Sequence, residues 1–306
     1  MNPRKLLRER LAARRTVWGA GCYDALSAKL IESAGFEAVL TSGFGISAAF
    51  LGKPDVELYT MTENLAVVRQ VVNTVDIPVI ADCDTGYGNA VNVMRTVREF
   101  EQAGVAAVIL EDQVVPKRCP AIANRVEVIP AVEGVAKIRA AVEARRDPDL
   151  LIIARTDTDT EAGAIERARA YVAAGADMVQ PISKTMKDEA MLLRFARAAG
   201  RPVSLQVLGW LERELSPAQI AEIAGIAFFP LTALMTVAQA MITNLRALRE
   251  TRSTRNLPLP LMDHNAFAAL LDFPAIQDVQ NRLLPEAPDF ARLLSETGVP
   301  AEKVAG

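Results

Sequence analysis

Eight short apolar runs alternate with amphipathic helical patterns along most of this chain. They are Val17 to Gly21, Glu37 to Ser42, Ile77 to Asp82, Val105 to Glu111, Leu150 to Arg155, Asp177 to Pro181, Pro202 to Val207 and Gly225 to Pro230. Such runs suit strands covered on both faces, as in a parallel sheet wrapped by helices. Three helical patterns end in the same pair, Ala34-Gly35, Ala103-Gly104 and Ala174-Gly175, where a glycine stops a helix before the chain re-enters a sheet. Helix starts agree: Thr60 with Glu63 has capping-box spacing, and Ser216-Pro217 with Gln219 adds a proline in the first turn. Eight strand-helix units favour a (β/α)8 barrel over an open doubly wound sheet, which would call for a glycine-rich nucleotide loop after its first strand. The 306 residues, 51% of them hydrophobic, can fill one barrel-sized domain. A single domain over residues 1–306 is therefore expected, with a helical extension from about residue 231 containing apolar patterns at Leu231 to Arg249 and Ala266 to Leu284. That extension could cover a neighbouring subunit or cap its own barrel.

Chemistry in such a barrel sits at the C-terminal ends of the strands, where this sequence places Tyr23, Ser42, Asp82 with Asp84, Glu111 and Arg155. Period-2 alternation puts Asp82 and Asp84 on one side, and the next strand ends in Glu111-Asp112. Crowded carboxylates repel unless a cation lies between them, and an all-oxygen set selects Mg2+ or Mn2+ over zinc. Arg155, ending a buried strand, must face either these acids as a structural ion pair or a substrate carboxylate. The loop after the fourth strand carries Lys117-Arg118-Cys119, where two adjacent cations should favour thiolate at the cysteine.

The composition excludes several functions. A net charge of −3, without basic blocks interleaved with aromatics, lacks the footprint of a nucleic-acid binder, so a small-molecule partner is expected. The N-terminal residues lead into a charged helical pattern without an apolar signal segment, and no apolar run reaches membrane-spanning length. A soluble, cytoplasmic protein is expected. Cys22, Cys83 and Cys119 are an odd set without metal-finger spacing, as expected of reduced thiols. His264 is the only histidine and reads as a surface residue opening a C-terminal helix.

Ser42-Gly43-Phe44, Leu51-Gly52-Lys53-Pro54-Asp55, Asp82 to Asn89, Leu110 to Gln113, Pro116 to Cys119 and Ile153 to Asp157 together resemble the isocitrate lyase and phosphoenolpyruvate mutase superfamily. The resemblance spans roughly residues 15 to 250. It implies a (β/α)8 barrel with Mg2+ around Asp82, Asp84 and Glu111, and Asp55 in the outer coordination sphere. The 2-oxo-acid half of the substrate would be bound by Tyr23, the backbone at Ser42, Gly43 and Phe44, and Arg155. It also implies a mobile loop around Lys117 to Val126 and tetramers that exchange a C-terminal helix. Lys-Arg-Cys at 117–119 resembles the lyase branch, in which the cysteine, flanked here by Lys117, protonates the carbanion left on the second fragment.

The sequence departs from the lyase pattern at four places. The Gly-His that follows the cysteine is Pro120-Ala121 here, a glutamate after the sixth strand aligns with Ile182, and an Asn and a Glu on the seventh align with Leu205 and Leu208. Burying a carboxylate unpaired against Ile182, Leu205 and Leu208 would cost several kcal/mol, by about the penalty for an uncompensated polar group. A substrate less polar than methylisocitrate is thus expected, such as a substituted malate cleaved to a 2-oxo acid and a second carboxylic acid. Decarboxylation or hydrolysis of a small 2-oxo acid is the alternative, and a catalytically silent barrel serving as a binding subunit is a third reading.

Overall fold

The computed structural model describes residues 2–119 and 126–284. Eight parallel strands close into a barrel, each paired with the next and the last with the first. They are β1 (Val17–Cys22), β2 (Ala38–Thr41), β3 (Val79–Asp82), β4 (Ala107–Glu111), β5 (Leu151–Thr156), β6 (Met178–Pro181), β7 (Val203–Gln206) and β8 (Ala224–Phe229). Each lies within two residues of its expected position. The third is trimmed because Pro78 has no N–H to pair and the Ile77 N–H is taken by the Glu32 carboxylate at 3.2 Å.

Alternation along the strands sorts the core into two layers. Ala38, Leu40, Ile80, Ala107, Ile109, Leu151, Ile153, Met178, Ile226 and Phe228 fill the barrel interior. Val39, Val79, Ala81, Val108, Leu110, Ile152 and Ala154 face outward into the packed helices, as do Val179, Val203, Leu205 and Ala227 farther round. Each fully buried Ile or Phe contributes about 1.5–3 kcal/mol. The helix Pro3–Ala12 lays Leu7, fully buried, against Val17, Ala38, Ala107 and Leu151, all first residues of strands, and so closes the bottom of the barrel. Chemistry is left to the opposite rim.

The chain divides into two compact units, residues 1–239 and 240–306. Within the second, the helices His264–Leu270 and Phe273–Leu283 follow the end of the helix Thr232–Thr251. Asn244 clamps the connecting segment by donating to the Leu259 carbonyl and accepting from its N–H, both at 3.0 Å. No described residue from 240 to 284 is buried. His264 is exposed at the start of its helix, which is capped by Asp263. No described helix is long and apolar enough to cross a membrane.

Candidate active site

The parity that fills the barrel interior continues into its mouth. Ser42 follows Leu40, Asp82 follows Ile80, Glu111 follows Ile109, Arg155 follows Ile153 and Gln180 follows Met178, so each polar group stands one step above an interior apolar side chain. Asp84 arrives differently. The strand ends at Asp82, and Asp84 has a left-handed backbone (φ 49°) with its N–H donating to Asp82 Oδ1 at 3.1 Å. A turn, and not strand alternation, makes the two carboxylates converge.

Oxygens of Asp82, Asp84 and Glu111 lie within 4.8 Å of one another, and all three residues are buried. The ammonium of Lys117 enters the same group, 2.5 Å from Asp84 Oδ1, 3.0 Å from Asp55 Oδ1 and 3.5 Å from Glu111 Oε1. Burial alone would lower the Lys117 pKa, but Asp84, Glu111, Asp55 and Asp82 together hold it well above its ordinary value. Arg155 donates to Glu111 Oε1 at 2.6 Å and to Asp157 Oδ1 at 2.7 Å. Five buried carboxylates thus face two buried cations, and burial, with repulsion from Asp84 and Glu111 opposing the pull of Lys117, pushes Asp82 up to about 7. A hard divalent cation fits this set: it would answer the excess negative charge of three buried carboxylates whose oxygens gather within 4.8 Å.

The acids are held by groups that the sequence did not single out. Tyr87, also left-handed at φ 60°, donates to Asp84 Oδ2 at 2.9 Å, and Asn64 donates to the Asp82 carbonyl at 2.9 Å and to the Tyr87 hydroxyl at 2.7 Å. Gln113 donates to Glu111 Oε2 and accepts from the Arg118 N–H, while Glu57 accepts from the Thr85 hydroxyl at 2.6 Å and from the Lys117 N–H at 3.1 Å. These bonds tie the segment carrying Lys117 to the acidic turn. Isolated polar residues give no periodic signal, although Tyr87 and Gln113 lie within segments that carry the family resemblance. Gly43 is constrained by contact, because a Cβ there would lie 2.8 Å from the Tyr59 hydroxyl and 3.0 Å from Asp82 Oδ2.

A cavity of about 500 Å3 opens over the rim. Its walls include Ser42, Phe44, Asp55, Asp82, Cys119 and Arg155 on one side, and Gln180, Ile182, Lys184, Gln206 and Leu208 on the other. The Ser42 hydroxyl caps the short helix that begins at Gly43 by accepting from the Gly45 N–H, and Tyr23 packs beside Gly45 without lining the cavity.

Two further readings of the site need correction. Leu205 does not line the cavity: it is buried among the helices, and alternation turns its neighbour Gln206 inward. The far wall is accordingly more polar than expected. The two cations beside Cys119 also diverge, since Lys117 is drawn into the acids while Arg118 is exposed and pairs with Glu127 at 3.7 Å. Of the expected mobile loop, Pro120, Ala121 and the residues through 125 lie outside the described residues.

The family model for phosphoenolpyruvate phosphomutase matches residues 7–249. The chain is 39% identical over 285 residues to a 2,3-dimethylmalate lyase of Eubacterium barkeri, covering 92% of this chain and 98% of that one. Among solved structures, a phosphoenolpyruvate phosphomutase from Streptomyces platensis superposes with a TM-score of 0.85 at 33% identity, over 92% of this chain and 99% of that one. A phosphonopyruvate hydrolase in complex with oxalate and Mg2+ gives 0.83 at 31%, over 93% and 100%. The acidic rim thus lies within a shared barrel as well as shared motifs, and the chain belongs to the phosphoenolpyruvate mutase/isocitrate lyase superfamily of enzymes.

Proposed function

We propose that this enzyme is a Mg2+-dependent carbon-carbon lyase that cleaves a substituted malate-type 2-hydroxy acid to a 2-oxo acid and a second carboxylic acid. The observation that carries the reading is that Cys119 lines the same cavity as Asp55, Asp82 and Arg155, so a proton donor and the oxo-acid pole face one substrate volume. The similarity to a 2,3-dimethylmalate lyase supports the lyase chemistry, and Mg2+ in the phosphonopyruvate hydrolase structure supports the metal.

Asp82, Asp84 and Glu111 would hold Mg2+, directly or through water, with Asp55 behind them. Bound there, the ion supplies Lewis acidity toward the oxygen that becomes the 2-oxo group. Arg155 and the backbone at Ser42 to Phe44 orient the carboxylate of that half. Asp55, buried yet lining the cavity, would take the hydroxyl proton. Cleavage of the C2–C3 bond leaves its electron pair on C3, and the Cys119 thiol protonates that carbon. Ile182 and Leu208 give the second half an apolar wall.

The exposed apolar side chains of the extension, among them Met241, Leu245, Phe267, Phe273 and Ile276, favour a homo-oligomer, for which we propose a tetramer with an exchanged C-terminal helix. Sedimentation of the full chain and of one ending at Arg255 tests this. A tetramer unaffected by truncation would refute the exchange.

The activity is tested with Mg2+ and a panel of 2-methylmalate, 2,3-dimethylmalate, methylisocitrate, oxaloacetate and phosphonopyruvate, following 2-oxo acid, CO2 and phosphate. Pyruvate from the malates is expected. CO2 from oxaloacetate or phosphate from phosphonopyruvate, with no cleavage of the malates, would replace the reading by decarboxylation or hydrolysis.

A further inference from the structure

We propose that Glu57 is the positioning residue of the proton donor: its carboxylate fastens the backbone of Lys117 to the acidic turn and so fixes where the Cys119 thiol meets the substrate cavity. This rests on the reading of Cys119 as the acid that protonates C3. A thiol two residues beyond the fastening point needs its own backbone held, because a reacting group displaced by about 1 Å can lose roughly a hundredfold in rate.

Glu57 lies in the irregular segment that leads from Asp55 to the helix Met61–Val72, and its backbone is left-handed at φ 58°. An L side chain takes that conformation at a cost, which the surrounding bonds offset. One carboxylate oxygen accepts from the Thr85 hydroxyl at 2.6 Å, and the other from the Lys117 N–H at 3.1 Å. Thr85 is fully buried and directly follows Asp84, so the anchor is the turn that carries the metal pole. Asp55 meets the ammonium of the same lysine at 3.0 Å, so residues 55 and 57 grip Lys117 by its tip and by its backbone. The next N–H, that of Arg118, is held by Gln113 Oε1 at 3.0 Å, and the Gln113 NH2 is itself fixed on Glu111 at 2.8 Å. Two consecutive backbone amides before Cys119 are therefore tied to the acidic rim. Cys119 follows them into the cavity wall, 7% exposed.

Alkylation of the Mg2+-loaded protein by iodoacetamide, located by peptide mass spectrometry, tests the assignment. Cys22 and Cys83, both fully buried, report global loosening, whereas Cys119 reports its own segment. Glu57→Met should speed labelling of Cys119 about tenfold, as expected for loss of one hydrogen bond to a charged acceptor, and leave the other two cysteines protected. Thr85→Val, which removes the anchor, should act in the same direction. Glu57→Gln should label as wild type does, because its amide offers an oxygen to the Lys117 N–H and an NH2 to the Thr85 hydroxyl oxygen without the charge. Malate cleavage by Glu57→Met should fall about a hundredfold in kcat, with oxalate affinity within about twofold of wild type. Cys119 labelling that stays at the wild-type rate in Glu57→Met and Thr85→Val, or that rises equally at all three cysteines, would overturn the proposal. So would an undiminished kcat in Glu57→Met, or Glu57→Gln labelling as Glu57→Met does. Because labelling needs no turnover, this outcome is separate from failure of the lyase reading, which shows as no pyruvate from the malates.

Discussion

Replacing Lys117 by methionine removes the buried ammonium that stands among Asp55, Asp84 and Glu111 while retaining most of the side chain's volume. Breaking a buried ion pair by deleting one partner costs about 3–5 kcal/mol, because the remaining charge is left uncompensated. For the unit of 239 residues, an unfolding entropy of about 2.1 cal/mol/K per residue gives roughly 0.5 kcal/mol/K, so the loss corresponds to a fall in Tm of about 6–10 °C. Protonation of one carboxyl offsets part of this at low pH, and Asp82, already pushed up to about 7 by burial, is the group best placed to take the proton. The fall should therefore be larger at pH 8 than at pH 6. Mg2+ should raise the Tm of the variant by more than it raises that of wild type, since it replaces the missing positive charge. Thermal melts at both pH values, with EDTA and with saturating Mg2+, check this. A shift below 2 °C at pH 8 without metal, or equal gains from Mg2+ in the two proteins, would refute the electrostatic account.

Other consequences can be measured independently. Asp84→Ala should abolish the Mg2+-dependent rise in Tm, and an undiminished rise would remove Asp84 from the metal site. The raised pKa of Asp82 binds an extra proton in the folded state between about 4 and 7, so metal-free stability should fall as pH rises through that window while Mg2+ affinity increases. Denaturation and calorimetry at pH 5, 6, 7 and 8 test both signs. Cys119→Ser should lower turnover at least a hundredfold, within the range for loss of a positioned acid, and leave oxalate binding within twofold; unchanged kcat would exclude the thiol as proton donor. Across alkyl-substituted malates, each methylene buried against Ile182 and Leu208 should raise kcat/KM about fourfold, corresponding to ~0.8 kcal/mol, whereas a clear preference for methylisocitrate would show that this wall does not meet the second half of the substrate.

The barrel and the residue types at its rim are legible in the amino-acid sequence. Period-2 strands and helix-ending glycines are local consequences of backbone geometry, so eight runs such as Val105 to Glu111 are legible without coordinates, and so are the acids and Arg155 at their ends. Which side chains meet depends on the folded chain. The left-handed turn at Asp84 and the entry of Lys117 among carboxylates from three other segments depend on backbone conformation and long-range contact, neither of which has a periodic signature. The seventh strand illustrates the reason most simply: a displacement of one residue exchanges the two faces, so an alignment that assigned Leu205 to the cavity predicted an apolar wall, whereas the barrel turns Leu205 into the helices and presents Gln206.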